Sequence, residues 1–332
     1  MCEGIRSHTS WIYRLSGLCG VVVHIVECAD LASEFYLSGE HGRAGILVFE
    51  KEVAGVFCKV YMAGAGGGAS SGQGSNLCLV VHSAGNAALM QRPIPSPGPN
   101  QVLIRVEAVR VQSVCVKLAE GSLLSPSGKP IVPGQEFCGV VVGCGVNVDK
   151  SLLDIGHRVA VTPMSFCQRC YFCERGQTNL CESGAELFGW NVDGGYQQYV
   201  CVNQKLCHSF DKAVPWRQAV LASTAAAASY GMTKASILPG DSVLIIGTNV
   251  VGLMGVVFAR GLGAEYICVV GRAGASPDQA MTCGASKFLT WDACGDESQQ
   301  FQQVRQASHP FSDLVDPQDD SLLLCQHVGR KY

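Results

Sequence analysis

Charge is scarce in this chain, and so is any segment long enough to hold it in a membrane. Only 15% of its 332 residues are charged, the formal net charge is −3, and no long basic run occurs, so nothing points to nucleic acid or to an anionic bilayer as a partner. No apolar run approaches the roughly 20 residues that span a bilayer. The nearest thing to a secretory leader, residues 15–26 (LSGLCGVVVHIV), contains His24 and has no small-residue cleavage site behind it, so a soluble cytoplasmic chain is expected. The glycine-rich run at 63–75 (AGAGGGASSGQGS) lacks a following Lys-Ser/Thr pair and a strand-to-helix setting. It reads as a flexible linker rather than a phosphate loop.

What the chain has in quantity is apolar mass and sulfur. At 48% hydrophobic it can bury a large core, and its length suits about two domains. Its 18 cysteines are spread through a large apolar protein rather than crowded into a short secreted one, which fits reduced thiols in a cytosolic setting. Four of them form a cluster at residues 166–181, FCQRCYFCERGQTNLC, where Cys167, Cys170, Cys173 and Cys181 stand three, three and eight apart. Thiolates bind Zn²⁺ well, and four of them close a tetrahedral shell with no position left for water or substrate. The intervening Gln168, Arg169, Glu174, Arg175, Gly176 and Gln177 are polar and loop-forming, so four cysteines filling a core is the poorer reading. A structural zinc site is expected.

Residues 1–61 carry no motif and stand as an N-terminal extension of unknown structure, joined by a Gly/Ser linker at 62–76 to a β-rich domain at 77–238. Short strands are expected at 77–82, 102–109, 137–142 and 158–162, with a strand pair bracketing PIPSPGP at 93–99, because proline lacks the N–H that a helix or central strand needs. An alternating strand follows Gly194-Gly195 at 196–202, and the alanine-rich stretch 220–232 reads as a helix lying between the two domains. A second domain at 239–332 opens with strand 242–246, the turn Gly247-Thr248-Asn249-Val250-Val251-Gly252, a helix to about Leu262 and a strand at 266–270. That order places a helix N-terminus and free backbone N–H groups where they could hold a pyrophosphate.

Taken in order, RPIPSPGPNQVLIRVEAV at 92–109, PGQE at 133–136, GHRVAV at 156–161, the cysteine lobe, DGGYQQYV at 193–200 and the dinucleotide turn resemble the zinc-containing medium-chain dehydrogenase/reductase family, its alcohol, sorbitol and threonine dehydrogenase branch. The resemblance covers about two thirds of the chain, and the lobe is its most specific part. It implies an α/β protein: a GroES-like β-rich domain followed by a partial Rossmann domain, a doubly wound parallel sheet, with substrate and nicotinamide meeting in the cleft between them. In such enzymes a second, catalytic zinc on three protein ligands polarises the alcohol oxygen while hydride passes to the nicotinamide. The positions that would supply those ligands hold Gln112, Gln135 and either Ser223 or Thr224. Neutral amides and hydroxyls bind Zn²⁺ weakly, so one structural zinc and no intact catalytic zinc is the expectation. Glu136 follows Gln135, and Cys115 lies three residues beyond Gln112. A displaced Cys115/Glu136 site is the alternative to a buried thiol and a structural hydrogen bond.

For the cofactor, NADP or NAD, the resemblance points to Gly247, Asn249, Val250, Gly252 and Arg272. Asn249 replaces the second glycine of the turn and brings a Cβ to where a pyrophosphate approaches, although asparagine tolerates unusual φ. Gly271 replaces a ribose-binding acid and Arg272 stands beside it, which favours a 2′-phosphate and hence NADP. Two functions follow. One is NAD(P)-dependent hydride transfer on a small alcohol, polyol or carbonyl; the other is a zinc-stabilised, inactive pseudoenzyme that binds a nucleotide or acts as an interaction protein. The polar stretch 292–332 shows no further strand and helix repeats, as in a truncated or alternatively spliced product. Half a Rossmann sheet would expose an apolar edge unless a partner copy, as in a homo-oligomer, covers it.

Overall fold

In this computed structural model, residues 74–291 are described apart from 84, 85, 122, 124, 127, 184, 185 and 273; outside that span only the backbone of short strands between residues 3 and 61 and at His327–Val328 is described. Residues 62–73 of the expected linker, and nearly all of the polar stretch 292–332, lie outside the described residues. The chain divides into two compact units, one carrying residues up to Ser223 and the other chiefly those from Thr224 onward.

The first unit is built around the strand Gln101–Arg110. Its side chains alternate, with Val102, Ile104, Val106 and Ala108 buried, as a strand with one face on a core requires. It pairs antiparallel with Phe137–Cys144 and with Tyr199–Asn203. The sheet continues from Phe137–Cys144 through Arg158–Val161 to Cys207–Ser209. A hairpin of Ser75–Ser83 and Asn86–Pro93 is tied on by hydrogen bonds such as Leu79 N–H to the Tyr196 carbonyl and Ile131 N–H to that of Val81. Ile104, Phe137, Val102, Val132 and Val202 are fully enclosed in the shared core, where each large side chain contributes about 2 kcal/mol through burial. Past Pro93, which ends the hairpin, residues 94–99 form no ladder, and Gln101 Oε1 accepts from Gly98 N–H at 3.0 Å to close the turn. The expected strand at 196–202 begins later, at Tyr199, because the N–H groups of Tyr196 and Gln198 go to the carbonyls of Pro133 and Leu77 and the Tyr196 carbonyl accepts from Leu79 instead.

The second unit holds three parallel strands, Lys287–Trp291, Tyr266–Arg272 and Ser242–Ile246, side by side in that order. Tyr266–Arg272 is the central one, and its unbroken buried run from Ile267 to Gly271 is what a strand covered on both faces shows. The helices Val250–Gly261 and Pro277–Thr282 connect consecutive strands. Leu253, Val256 and Ala259 recur every three residues along the longer helix and pack on Val243, Ile245, Ile267 and Val269. Asp241, buried, accepts from Leu238 N–H at 2.7 Å and fixes the Pro239-Gly240 turn that opens the first strand. The alanine-rich stretch is the helix Ala222–Lys234. Among the described residues no helix is long and apolar enough to cross a membrane.

Candidate functional site

The four cysteines of the lobe converge. Their sulfur atoms all lie within 4.8 Å of one another, and Cys167 Sγ is 3.9 Å from Cys173 Sγ. A tetrahedron with zinc–sulfur bonds of about 2.3 Å has sulfur–sulfur edges of about 3.8 Å, so these donors fit that ion in both chemistry and spacing. The loop is shaped by a single turn of helix, Tyr171–Glu174, and by Gln168, which takes a left-handed φ of 66°. The Ser183 hydroxyl, then the Arg169 backbone, pull the Cys167 thiol down to about 6, and backbone hydrogen bonds lower Cys170 as well. None of the four residues is buried, so little apolar packing closes the loop without an ion. Among the described residues these four are the one group of His, Cys, Asp or Glu side chains arranged to hold a metal.

Elsewhere in the same unit the backbones of Gln112 and Gln135 both reach the Cys115 thiol. Gln112 is the N-cap residue of the helix Ser113–Glu120, whose first N–H groups bond its carbonyl, while its side chain makes no cap. Its Oε1 is buried without a hydrogen-bond partner. Burial pushes the Cys115 thiol up, against smaller opposing hydrogen bonds with the backbone of Gln112, Gly134 and Gln135 and with the Tyr196 side chain. Cys115 therefore joins the helix start to the Gly134-Gln135 loop. Gly134, at φ +100°, has no room for a side chain: a Cβ would stand 2.9 Å from Val109 Cγ2 and 3.0 Å from two backbone nitrogens, those of Gly195 and Tyr196. Across from it a Cβ on Gly194 would come within 2.1 Å of the Gly134 carbonyl oxygen. Asp193 holds the same loop from outside, accepting from Val132 N–H at 2.9 Å and from Arg92 at 2.8 Å.

Glu136 has a different occupation. Arg110 Nη1 donates to its Oε2 at 2.6 Å, and the two side chains are only 15% and 8% exposed. A carboxylate held by a guanidinium in this enclosed setting is committed to that pair, so the displaced Cys115/Glu136 metal site is poorly served. Ser223 lies half-buried in the first turn of Ala222–Lys234. Sequence reasoning missed Arg110 as the partner of Glu136. The available signal was an arginine ending an otherwise core-facing strand, since a buried acid needs a cation.

The second unit supplies the dinucleotide turn. Gly247 takes φ +110° with open space where a Cβ would be, and its N–H is held by the Val270 carbonyl at 2.8 Å. Gly252 packs against the turn so closely that a Cβ would lie 2.2 Å from the Gly247 carbonyl oxygen. These two glycines preserve the tight strand-to-helix passage that lets a phosphate reach backbone N–H groups. Asn249 needs no unusual φ: at −70° and ψ 172° it is an ordinary N-cap, and its Oδ1 accepts from Gly252 N–H at 2.9 Å. Val250 begins the helix behind it. At the end of the next strand a Cβ on Gly271 would meet Phe288 Cζ at 2.5 Å and Thr248 Cγ2 at 2.9 Å, so no acid fits there; Arg272 beside it is exposed.

A cavity of about 530 Å³ opens near the cysteine lobe, lined in part by Arg92, Phe166, Gln168, Glu186, Asp193 and Lys205. Several of its polar walls are already paired with each other, Arg92 with Asp193 and Lys205 with Gln168. It includes none of the residues at the glutamine pair.

Residues 98–212 match the alcohol dehydrogenase GroES-like domain family. The chain is 34% identical to L-galactonate-5-dehydrogenase of Escherichia coli over 53% of its own length and 51% of the relative's, and 32% identical to a sorbitol dehydrogenase of Halalkalibacterium halodurans over 58% and 54%. It thus spans about half the length of these relatives. Among solved structures it is similar to a thermostable alcohol dehydrogenase of Pyrobaculum aerophilum, with TM-score 0.58 and 29% identity over 65% of each chain. A dehydrogenase of Sinorhizobium meliloti, described as zinc-binding and solved with NADP, gives TM-score 0.61 at 27% identity over 74% of this chain and 66% of the other. A GroES-like unit and a Rossmann-type unit are thus the two parts of this fold.

Proposed function

The chain belongs with the medium-chain dehydrogenase/reductases, and from that premise we propose an oxidoreductase that uses NADP or NAD to interconvert a small alcohol or polyol with its carbonyl, holding one structural zinc and no catalytic zinc. The observation that carries this reading is the dinucleotide turn, where Gly247 and Gly252 keep the geometry that admits a pyrophosphate. Bound there, the nicotinamide would accept or give the hydride. The chain's own part is recognition. Gly247, Asn249, Val250 and Gly252 would face the pyrophosphate, and Arg272 would pair with a 2′-phosphate, which favours NADP over NAD. Gln112 offers a buried amide: its oxygen accepts from an alcohol O–H, and after rotation its nitrogen donates to a carbonyl. Gln135 would add a second amide, and Ser223 or Thr224 a hydroxyl.

The zinc-free part of the proposal rests on the donor set. Two amides, a hydroxyl and a carboxylate engaged by Arg110 form a weak set of zinc ligands. The structural zinc rests on the cysteine spacing in the lobe. One observation favours the second reading, an inactive zinc-stabilised pseudoenzyme that binds a nucleotide weakly or serves as an interaction protein: Asn249 already occupies one N–H of the phosphate-binding turn. Titration with NADPH and NADH, followed by fluorescence, separates the two. Saturable binding, tighter for NADPH, supports the oxidoreductase; no binding at millimolar cofactor refutes it. Metal analysis giving two tightly held zinc ions per chain would overturn the zinc-free part.

A further inference from the structure

We propose that Asn249 is a built-in competitor for the phosphate-binding mouth of the helix Val250–Gly261, so that a dinucleotide enters this turn only by displacing the asparagine amide. The inference rests on the nucleotide-site reading above. A helix N-terminus presents N–H groups and the positive end of the helix dipole, and either a phosphate oxygen or a side-chain oxygen can satisfy them. Here the side-chain oxygen is supplied by the chain itself. Asn249 Oδ1 accepts from Gly252 N–H at 2.9 Å, while the Asn249 carbonyl takes Leu253 N–H at 3.0 Å, a doubly engaged cap. A glycine at this position would lack both the Cβ and the competing oxygen.

Neighbouring contacts decide how the competitor can leave. Thr248 precedes Asn249, and its methyl group lies over Gly271 together with the Phe288 ring, so closely that a Cβ on Gly271 would be 2.9 Å from the methyl and 2.5 Å from the ring. On the other side the Gly247 carbonyl sits against Gly252, with 2.2 Å to an added Cβ. The turn is packed at both ends and has little room to shift as a body. Release of the mouth is therefore a rotation of the Asn249 side chain, which is exposed and free to swing into solvent. Its cost is one cap hydrogen bond, charged against every dinucleotide that binds.

The test uses the full chain with its zinc, in three forms: wild type, Asn249→Gly and Asn249→Asp. Removing the competitor should tighten NADPH binding about two-fold, with a matching small loss of thermal stability, because glycine is itself a tolerable cap and costs the free helix only a little. The aspartate should cap as well as asparagine and melt no lower, yet weaken NADPH about ten-fold, since its charge repels the pyrophosphate and is favoured at the helix mouth. Affinity and stability thus move independently, which a general packing effect would not produce. A separate readout without nucleotide is amide hydrogen exchange at Gly252, slow in wild type and faster in Asn249→Gly. If wild type binds NADPH and Asn249→Gly binds it no more tightly, the competitor role is overturned while the nucleotide site stands. If none of the three forms binds, both fall; if only Asn249→Gly binds, the competitor role is supported in its strongest form.

Discussion

Replacing Glu136 by glutamine separates a structural carboxylate from a catalytic one. The Arg110–Glu136 pair is enclosed, with side-chain exposures of 15% and 8% and an N–O distance of 2.6 Å. Glutamine keeps the shape and a hydrogen-bonding oxygen but removes the charge, leaving the guanidinium of Arg110 short of its counter-ion inside the unit. Breaking such a pair from one side costs about 3–5 kcal/mol, and the residual exposure of Arg110 places the expectation near the lower figure, about 3 kcal/mol. For a unit of this size that corresponds to a fall in Tm of roughly 6–12 °C. Differential scanning calorimetry on Glu136→Gln, with zinc measured in the same samples, reads both consequences: lower stability and an unchanged metal content. The companion variant Arg110→Met/Glu136→Leu replaces the pair by apolar groups and should recover most of the loss, since the cost lies in the stranded charge. Melting of Glu136→Gln at the wild-type temperature, or a loss of zinc from it, would refute the reasoning.

Two further outcomes are expected. Cys170→Ser should release the lobe's zinc and lower the thermal stability of the GroES-like unit, because the exposed loop loses the bond that orders it; unchanged zinc and unchanged melting, by metal analysis and calorimetry, would contradict a structural site. Gly271→Asp, which would place an acid at the end of its strand, should destabilise by about 1–3 kcal/mol through overpacking and leave NADH binding no tighter. A stable variant with improved NADH affinity would show that Thr248 and Phe288 yield easily.

The parts of this fold that were legible in the sequence are those fixed by local periodicity. Alternation along 101–110 and the apolar run at 266–271 each name a strand and the number of its faces that are covered. The cysteine spacing was equally readable, because ligand geometry constrains a short loop. The helix Ser113–Glu120 was missed: its segment SVCVKLAE carries two valines at alternate positions, and no side chain caps its start. The pairing of Arg110 with Glu136 joins the end of one strand to the bend before another, and the obstruction at Gly271 comes from Thr248 and Phe288, both distant in sequence. Such contacts exist only once the chain has folded. Asn249 lay between these cases, since its expected role was backbone tolerance and its observed role is the cap that an Asn-x-x-Gly sequence at a helix start permits.

The crowding of Gly134 against Gly194 and Gly195 has a consequence for how this scaffold can change over time. Because main-chain contact and the Asp193 clamp set the path of the loop, that path is independent of which side chain stands at position 135. Gln112 is similarly placed by backbone hydrogen bonds at the start of its helix. Residues at these two positions can be exchanged at small cost to folding, so chemistry can be lost, altered or reintroduced while the frame persists. The glycines, by contrast, admit no replacement, so the path of the loop is written in them rather than in the side chains it carries.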